Sequence, residues 1–450
     1  MNVADSQRVA SALEHLGHQA ALNPAEADIV VLNTCVVRQS AEDKATSHLF
    51  SLRPLKAKNP AMVINLMGCM VGVKSYERLQ KRFPFVDVFS PPSDPGPLIA
   101  FLTQDESHKD ELAETGQRYA WMDEERGIDQ NEGRGFALRL PVNESGKLVA
   151  AHVPVVLGCS HACSFCIIPY RRGIERSRRV GDIVADVNNL VGQGVKEITL
   201  LGQIVDRYGK DIPSGPDLAG LIRILHDNDG LERIRFLTSH PNWMTDELLG
   251  TVAELPKVMP HIEVPVQAGD DEVLERMKRG YTVEHYRHLI EKIRTQLNGS
   301  FPGVSIATDV IVGFPGETAQ QFQHTYDLLD ELKLDVAHIA RYSTRPGTVA
   351  ERRMPDNVPD EEKWARFRAL EELQKRLVTE INVRYLGATV MVLFEGKVRG
   401  RWRGRTPTNK LVFVESTREL LGSLLPVTIT WTGPWSMQGR LSDTALISIS

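Results

Sequence analysis

No run of apolar residues in this chain approaches the roughly 18 that a membrane-spanning helix needs. Met1 to Gln7 lack the charged-then-apolar layout of a secretion signal, so a cytosolic, membrane-free setting is expected. Cysteine is scarce and odd in number, five in 450 residues, which argues against a disulfide framework and leaves metal ligation as the better use of the thiols. Neither sign of charge dominates: 53 Lys and Arg stand against 58 Asp and Glu. The net charge of -5 would by itself argue against a nucleic-acid partner. What remains, 42% hydrophobic and 25% charged, is an ordinary globular composition at a length that needs two or three domains.

Three of the five cysteines fall within eight residues, Cys159, Cys163 and Cys166, in Val-Val-Leu-Gly-Cys-Ser-His-Ala-Cys-Ser-Phe-Cys-Ile-Ile-Pro-Tyr. Three thiolates can hold three corners of an iron-sulfur cube and leave the fourth iron open for a ligand, where a structural cluster normally closes all four. Zinc could use the same trio with His161, but zinc ligands usually come as pairs on two separated turns. Inert core cysteines would lie on a periodic apolar face, whereas Gly158, Ser160, His161 and Ser164 make this a polar loop.

The chain reads as three units: 1–102, a linker at 103–145 rich in acid and glycine, 146–383, and 384–450. In the first, Asp5 or Ser6 can cap a helix that Gly17 ends, and two short apolar strands, 28–34 and 61–67, stop just before Cys35 and Gly68-Cys69. Both cysteines then sit at the carboxyl edge of an open parallel α/β sheet, where such sheets place ligands, which predicts a shared metal site. The central unit alternates six β-rich segments (151–157, 196–201, 233–238, 261–266, 304–312, 335–341) with helices, predicting a partial (β/α)6 barrel with the cysteine loop after its first strand. A long helix, 359–384, leads into a segment of four or five short strands that suggests a small β-barrel.

Charge is uneven. From Arg384 to the end nine Lys and Arg face four Asp and Glu, a balance of +5 that leaves -10 for the rest. Arg399, Arg401, Trp402, Arg403, Arg405 and Lys410 lie in one stretch, read as a loop that mixes cations with a stacking ring and suits an RNA strand. Its bland alternative is a solvated hairpin.

The CxxxCxxC spacing with an aromatic before the last cysteine resembles the signature of the radical S-adenosylmethionine (SAM) superfamily. The chain as a whole resembles the methylthiotransferase family, most closely its tRNA-2-methylthio-N6-dimethylallyladenosine synthase group. The resemblance rests on Asn33-Thr-Cys-Val-Val-Arg38, Gly68-Cys-Met70, Arg176-Ser-Arg178, Leu201-Gly-Gln203, Thr238-Ser-His-Pro241, Pro265-Val-Gln267, the run from Thr308 to Glu317, and Tyr342-Ser-Thr-Arg-Pro-Gly-Thr348, with a TRAM-like barrel at the end. It implies a transferase with two 4Fe-4S clusters. One, on Cys159, Cys163 and Cys166, would bind SAM, with Phe165, Ile167, Gly202, Gln203 and Gly313 as cofactor contacts. The other, on Cys35 and Cys69, would deliver sulfur to C2 of an isopentenylated adenosine of the tRNA anticodon loop. An electron donor, a sulfur source and a monomeric enzyme are further expectations. Alternatives are another modified adenosine, a ribosomal-protein aspartate, or a non-catalytic RNA-binding protein with a structural metal. In one respect the chain departs from the pattern: the family's first cysteine lies in Gly-Cys-Gln-Met-Asn, and this sequence begins at Met-Asn, which implies either a start further upstream or an incomplete auxiliary site.

Overall fold

In the computed structural model, residues 1–37, 39–73, 76–104, 138–299 and 301–442 are described, so most of the expected linker lies outside the described residues. Strands β1 (Ile29–Thr34), β2 (Val63–Gly68) and β3 (Val88–Ser90) form a parallel sheet in that order. Parallel neighbours need crossovers, supplied by the helices Gln39–Lys58 and Glu77–Arg82. One face buries Leu49, Ile64, Leu66 and Phe83; the other packs Met67, Val88 and Leu98 under Val9 of the helix Asn2–His15. That helix has Met1 at its N-cap, not Asp5 or Ser6. Asp5 is buried inside it, its carboxylate turned to Arg172 of the next unit instead of to its own helix N–H groups.

Six parallel strands follow, as expected, but in two three-stranded sheets. β4 (Ala150–Pro154), β5 (Glu197–Leu201) and β6 (Arg233–Leu237) form one, and β7 (His261–Glu263), β8 (Ser305–Val312) and β9 (Val336–Arg341) the other, with β8 central. The seam between β6 and β7 holds through one isolated bridge, Ile234 to Val258, and the Ser239 N–H to the Glu263 carbonyl at 3.0 Å. Side-chain caps start the intervening helices, among them Asp217, Thr245, Thr282 and Thr318, the last in a capping box with Gln321. The 24-residue helix Asp360–Val383 buries Leu370, Leu373 and Leu377 against this core.

The last unit is a closed five-stranded barrel of β10 (Thr389–Val398), β11 (Arg401–Arg405), β12 (Leu411–Val414), β13 (Leu424–Thr432) and β14 (Met437–Leu441), ordered β10-β11-β12-β14-β13. Strand β11 corrects the reading of this stretch as a loop: Trp402 and Gly404 are buried while Arg401, Arg403 and Arg405 point outward, the period-2 alternation of a half-buried strand. Arg399 and Gly400, both with positive φ, make the two-residue turn that feeds it. The barrel is clamped to the central unit by buried arginines. Arg233 donates to the carbonyls of Arg405 and Met391 at 2.7 and 3.0 Å, and Arg235 to those of Pro407 and Thr406 at 2.8 and 2.9 Å while pairing with Glu197. No helix among the described residues is long and apolar enough to cross a membrane.

Candidate functional site

The cysteine loop leaves the carboxyl end of β4 through Gly158, at φ 69°, where a Cβ would stand 1.9 Å from the Ile174 carbonyl oxygen; only glycine fits. Behind it the Cys159 N–H is held by the Gly173 carbonyl at 3.1 Å, and the Cys166 N–H by that of Cys163 at 3.2 Å. Ser164 staples the loop to the turn after the helix Asp271–Arg276: its N–H reaches the Met277 carbonyl at 3.0 Å and its hydroxyl the Arg276 carbonyl at 2.7 Å. Cys159 is buried, Cys163 and Cys166 half-buried.

Cys159 and Cys166 each lie within electrostatic reach of the Cys163 thiol. Burial, reinforced by the neighbouring thiols, pushes Cys159 up to about 11 and Cys166 up to about 12, so without a cation these groups stay protonated. A bound metal would remove those protons. The donor set fits an iron-sulfur cube: three soft ligands, with N–H donors aimed at the sulfurs from His161 (3.4 Å to Cys159) and Arg279 (3.2 Å to Cys163). Among the described residues no three His, Cys, Asp or Glu side chains converge as ligands to a single ion. A cube asks for no such convergence, since each thiolate has its own iron. Ile168, Ile204 and Trp243 pack against Cys159 and Cys166 and form an apolar wall, and the Arg207 guanidinium lies 4.4 Å over the Trp243 ring.

A second group of polar residues lines the same end of the barrel, and of these Asp206 was not singled out in the sequence. Asp206 and His240 are buried; the Asp206 carboxylate accepts the His240 N–H at 3.0 Å, and burial raises its pKa to about 7. His240 is pushed down to about 2 by burial and the charge of Arg279, and its Nδ1 accepts the Asn242 N–H at 3.3 Å, which leaves its proton on Nε2. Its ring lies 4.6 Å from that of His161. One oxygen of Asp206, the Ser239 hydroxyl, and the Nε2 atoms of His161 and His240 are buried without a hydrogen-bond partner, so this cluster holds polar groups free to meet a ligand or water. Thr238-Ser-His-Pro241 was visible as a motif; the burial of Ser239 and His240 was not.

Among the residues expected to touch cofactor, Phe165 meets Phe314 edge-on at 6.4 Å and so reaches the Gly313 turn. Gly313 has φ 71°, a Cβ there would sit 2.3 Å from the Lys363 stem, and its N–H is fixed by the Glu317 carboxylate at 2.6 Å. Gly202 packs tightly, a Cβ being 2.9 Å from Val205 Cα, and Gln203 donates to the Met1 sulfur at 2.9 Å. Ile167 is a correction: it is buried in the N-terminal core with Cys69 and Met70, so domain packing claims its side chain.

Cys35 and Cys69 do share an edge. Thr34 ties their loops together, its carbonyl taking the Cys69 N–H at 3.1 Å and its hydroxyl bonding the Met67 carbonyl at 2.7 Å. Burial raises the Cys69 pKa, against the pull of Arg172. Two thiols do not fill a cluster, so the residues described here do not by themselves satisfy the auxiliary centre. Arg172, one of several arginines trailing the cysteine loop, donates to Asn2 at 2.8 Å and pairs with Asp5 and Cys69, while Arg178 pairs with Asp186 at 2.8 Å.

On the C-terminal barrel Arg399, Arg401 and Arg403 face outward, and Glu395 lies near both Arg403 at 3.7 Å and Arg405 at 3.4 Å. Trp402 and Lys410 are corrections to the RNA-facing set. Trp402 is 2% exposed, in the barrel core, with its indole N–H on the Arg418 carbonyl, so no base can stack on it. Lys410 is buried on Asp335 at 2.8 Å.

Comparison with known proteins agrees with this geometry. The Radical SAM superfamily matches residues 153–329, and Uncharacterized protein family UPF0004 matches residues 1–90. A Roseiflexus sp. (strain RS-1) protein named tRNA-2-methylthio-N(6)-dimethylallyladenosine synthase is 46% identical over 446 residues, 98% of this chain and 87% of that protein. A Chloroflexus aurantiacus protein of the same name is 45% identical over 98% of this chain and 89% of its own. The solved radical S-adenosylmethionine methyltransferase TsrM from Kitasatospora setae, with cobalamin and a 4Fe-4S cluster bound, superimposes with a TM-score of 0.53 at 15% identity, covering 77% of this chain and 70% of that one, a likeness of fold alone.

Proposed function

This chain belongs to the tRNA-2-methylthio-N6-dimethylallyladenosine synthase family of radical SAM transferases, and from that membership we propose that it places a methylthio group on C2 of N6-isopentenyladenosine at position 37 of the tRNA anticodon loop. The observation that carries the reading is the convergence of near-full-length kinship with three free thiols gathered in one loop at the carboxyl end of the first barrel strand. When bound, a reduced 4Fe-4S cluster with SAM on its open iron supplies one-electron cleavage of the sulfonium, and so a carbon radical strong enough to take hydrogen from an aromatic C–H.

The protein's part is positional. Cys159, Cys163 and Cys166 would hold three irons, and Gly202 and Gly313 let the strand-end turns pack tightly against Val205 and the Lys363 stem beside them. Ile168, Ile204 and Trp243 keep water from a radical that would otherwise be quenched. The unpartnered groups of Asp206, Ser239 and His240 offer hydrogen bonds to a polar ligand beside the cluster. Arg399, Arg401 and Arg403 supply sequence-independent attraction for phosphates, and a target in a single-stranded loop is extruded cheaply.

The deciding experiment is anoxic reconstitution with iron and sulfide, then incubation with SAM, dithionite and isopentenylated tRNA. A reducible brown protein, 5'-deoxyadenosine release and a methylthio-adenosine in the nuclease digest are expected. A colourless zinc protein that still binds tRNA would replace the proposal with its non-catalytic rival.

A further inference from the structure

Arg279 lies 116 positions from the cysteine it touches and in no motif of the cysteine loop. It is 5% exposed. Its guanidinium donates from Nη1 to the Cys163 sulfur at 3.2 Å, from Nε to the Tyr281 hydroxyl at 3.0 Å and from Nη2 to the Pro265 carbonyl at 3.3 Å. Tyr281 is itself fixed by the carbonyls of Pro265 and Val266, at 3.1 and 2.8 Å. No carboxylate among the described residues is within ion-pair distance of this guanidinium. A buried cation without a counter-charge is costly; burial raises the pKa of the adjoining Tyr281 hydroxyl and so favours its neutral form, which leaves the Cys163 thiolate, present once iron is bound, to supply the charge. The geometry is rigid, because Ser164 binds the cysteine loop to Arg276 and Met277, a few residues before Arg279.

We propose that Arg279 is a positioning residue of the radical centre: its N–H to the Cys163 sulfur orients that ligand and raises the reduction potential of the cluster. The inference rests on the reading of Cys159, Cys163 and Cys166 as cluster ligands. Its physical basis is that an electron added to the cluster makes it more negative, and a fixed cation in contact with a ligand sulfur stabilises that state over the oxidised one. Hydrogen bonds to cluster sulfurs act in the same direction.

The test is a potentiometric titration, followed by electron paramagnetic resonance, of the reconstituted full chain carrying Cys35→Ala and Cys69→Ala, so that only the radical centre is read. Arg279→Met, Arg279→Lys and Tyr281→Phe are compared with the parent. Arg279→Met is expected to weaken reduction about tenfold, a midpoint about 59 mV lower for one electron. Arg279→Lys, which keeps the charge and loses the fork, should recover at least half of that, and Tyr281→Phe should fall between. Equal midpoints in all four proteins overturn the proposal, as does a weaker SAM dissociation constant in Arg279→Met with an unmoved midpoint, which would make Arg279 a carboxylate anchor instead. Should Arg279→Met not fold, the lysine and phenylalanine variants decide by the same criterion. A parent without any reducible iron would refute the cluster reading itself, an outcome separate from equal midpoints.

Discussion

A single carboxylate shows how far burial reaches in this protein. Asp206 is raised from 3.8 to about 7 by desolvation, so the folded state holds its proton where the unfolded chain has released it. The folded state therefore loses stability as pH rises from about 4 to about 7 and levels off above, by on the order of 4 kcal/mol from this group. Glu263, also raised to about 7 by burial and Asp309, adds to the same slope, so the informative quantity is a difference. Asp206→Asn should gain on wild type across that window, read as thermal midpoints from pH 4 to 8; parallel curves would count against it. Gly158 marks another residue-scale limit. Gly158→Ala puts a methyl group into the Ile174 carbonyl, and we expect iron uptake at the cysteine loop to fall severalfold in a protein that still folds, measured as iron per chain.

At the scale of elements, the helix Asp360–Val383 is tied to the Gly313 turn by one buried pair. Arg366 reaches the Glu317 carboxylate at 2.6 Å and its carbonyl at 3.0 Å, and the same carboxylate holds the Gly313 N–H. Arg366→Leu leaves that acid buried without its cation and should cost about 3–5 kcal/mol in urea unfolding. Thr318→Ala removes only a capping box and should cost about 1 kcal/mol, which sets the scale for the first. Helices and strands of this kind were legible in the sequence because their periods and caps are local: the six barrel strands and the 359–384 helix lie within a few residues of where pattern placed them. Strand β11 was not, because arginines at every second position look like a solvated loop until the barrel closes and Trp402 turns inward.

Across the whole molecule, the basic C-terminal barrel is fastened to the central unit by Arg233 and Arg235 and leaves a different set of arginines facing out. Arg401→Ala with Arg403→Ala should weaken tRNA binding uniformly and reduce the salt slope of log K by about 1–2, seen by filter binding across salt concentrations. An unchanged slope would move the RNA contact elsewhere. Trp402→Phe should leave that slope alone and lower the barrel's stability, because its indole serves the core.

What this sequence determined by itself was chemistry carried by neighbours along the chain: three thiols in eight residues, glycines at turns, alternating apolar patterns, and the family these compose. Only the tertiary structure could say which cations are spent. Arg172, Arg233, Arg235, Arg279 and Lys410 read in the sequence as five equivalent positive charges, yet each is buried against partners remote in the chain. A side chain's charge is written in its residue type. The burial and the counter-group that give that charge its effect arise only when distant segments pack together.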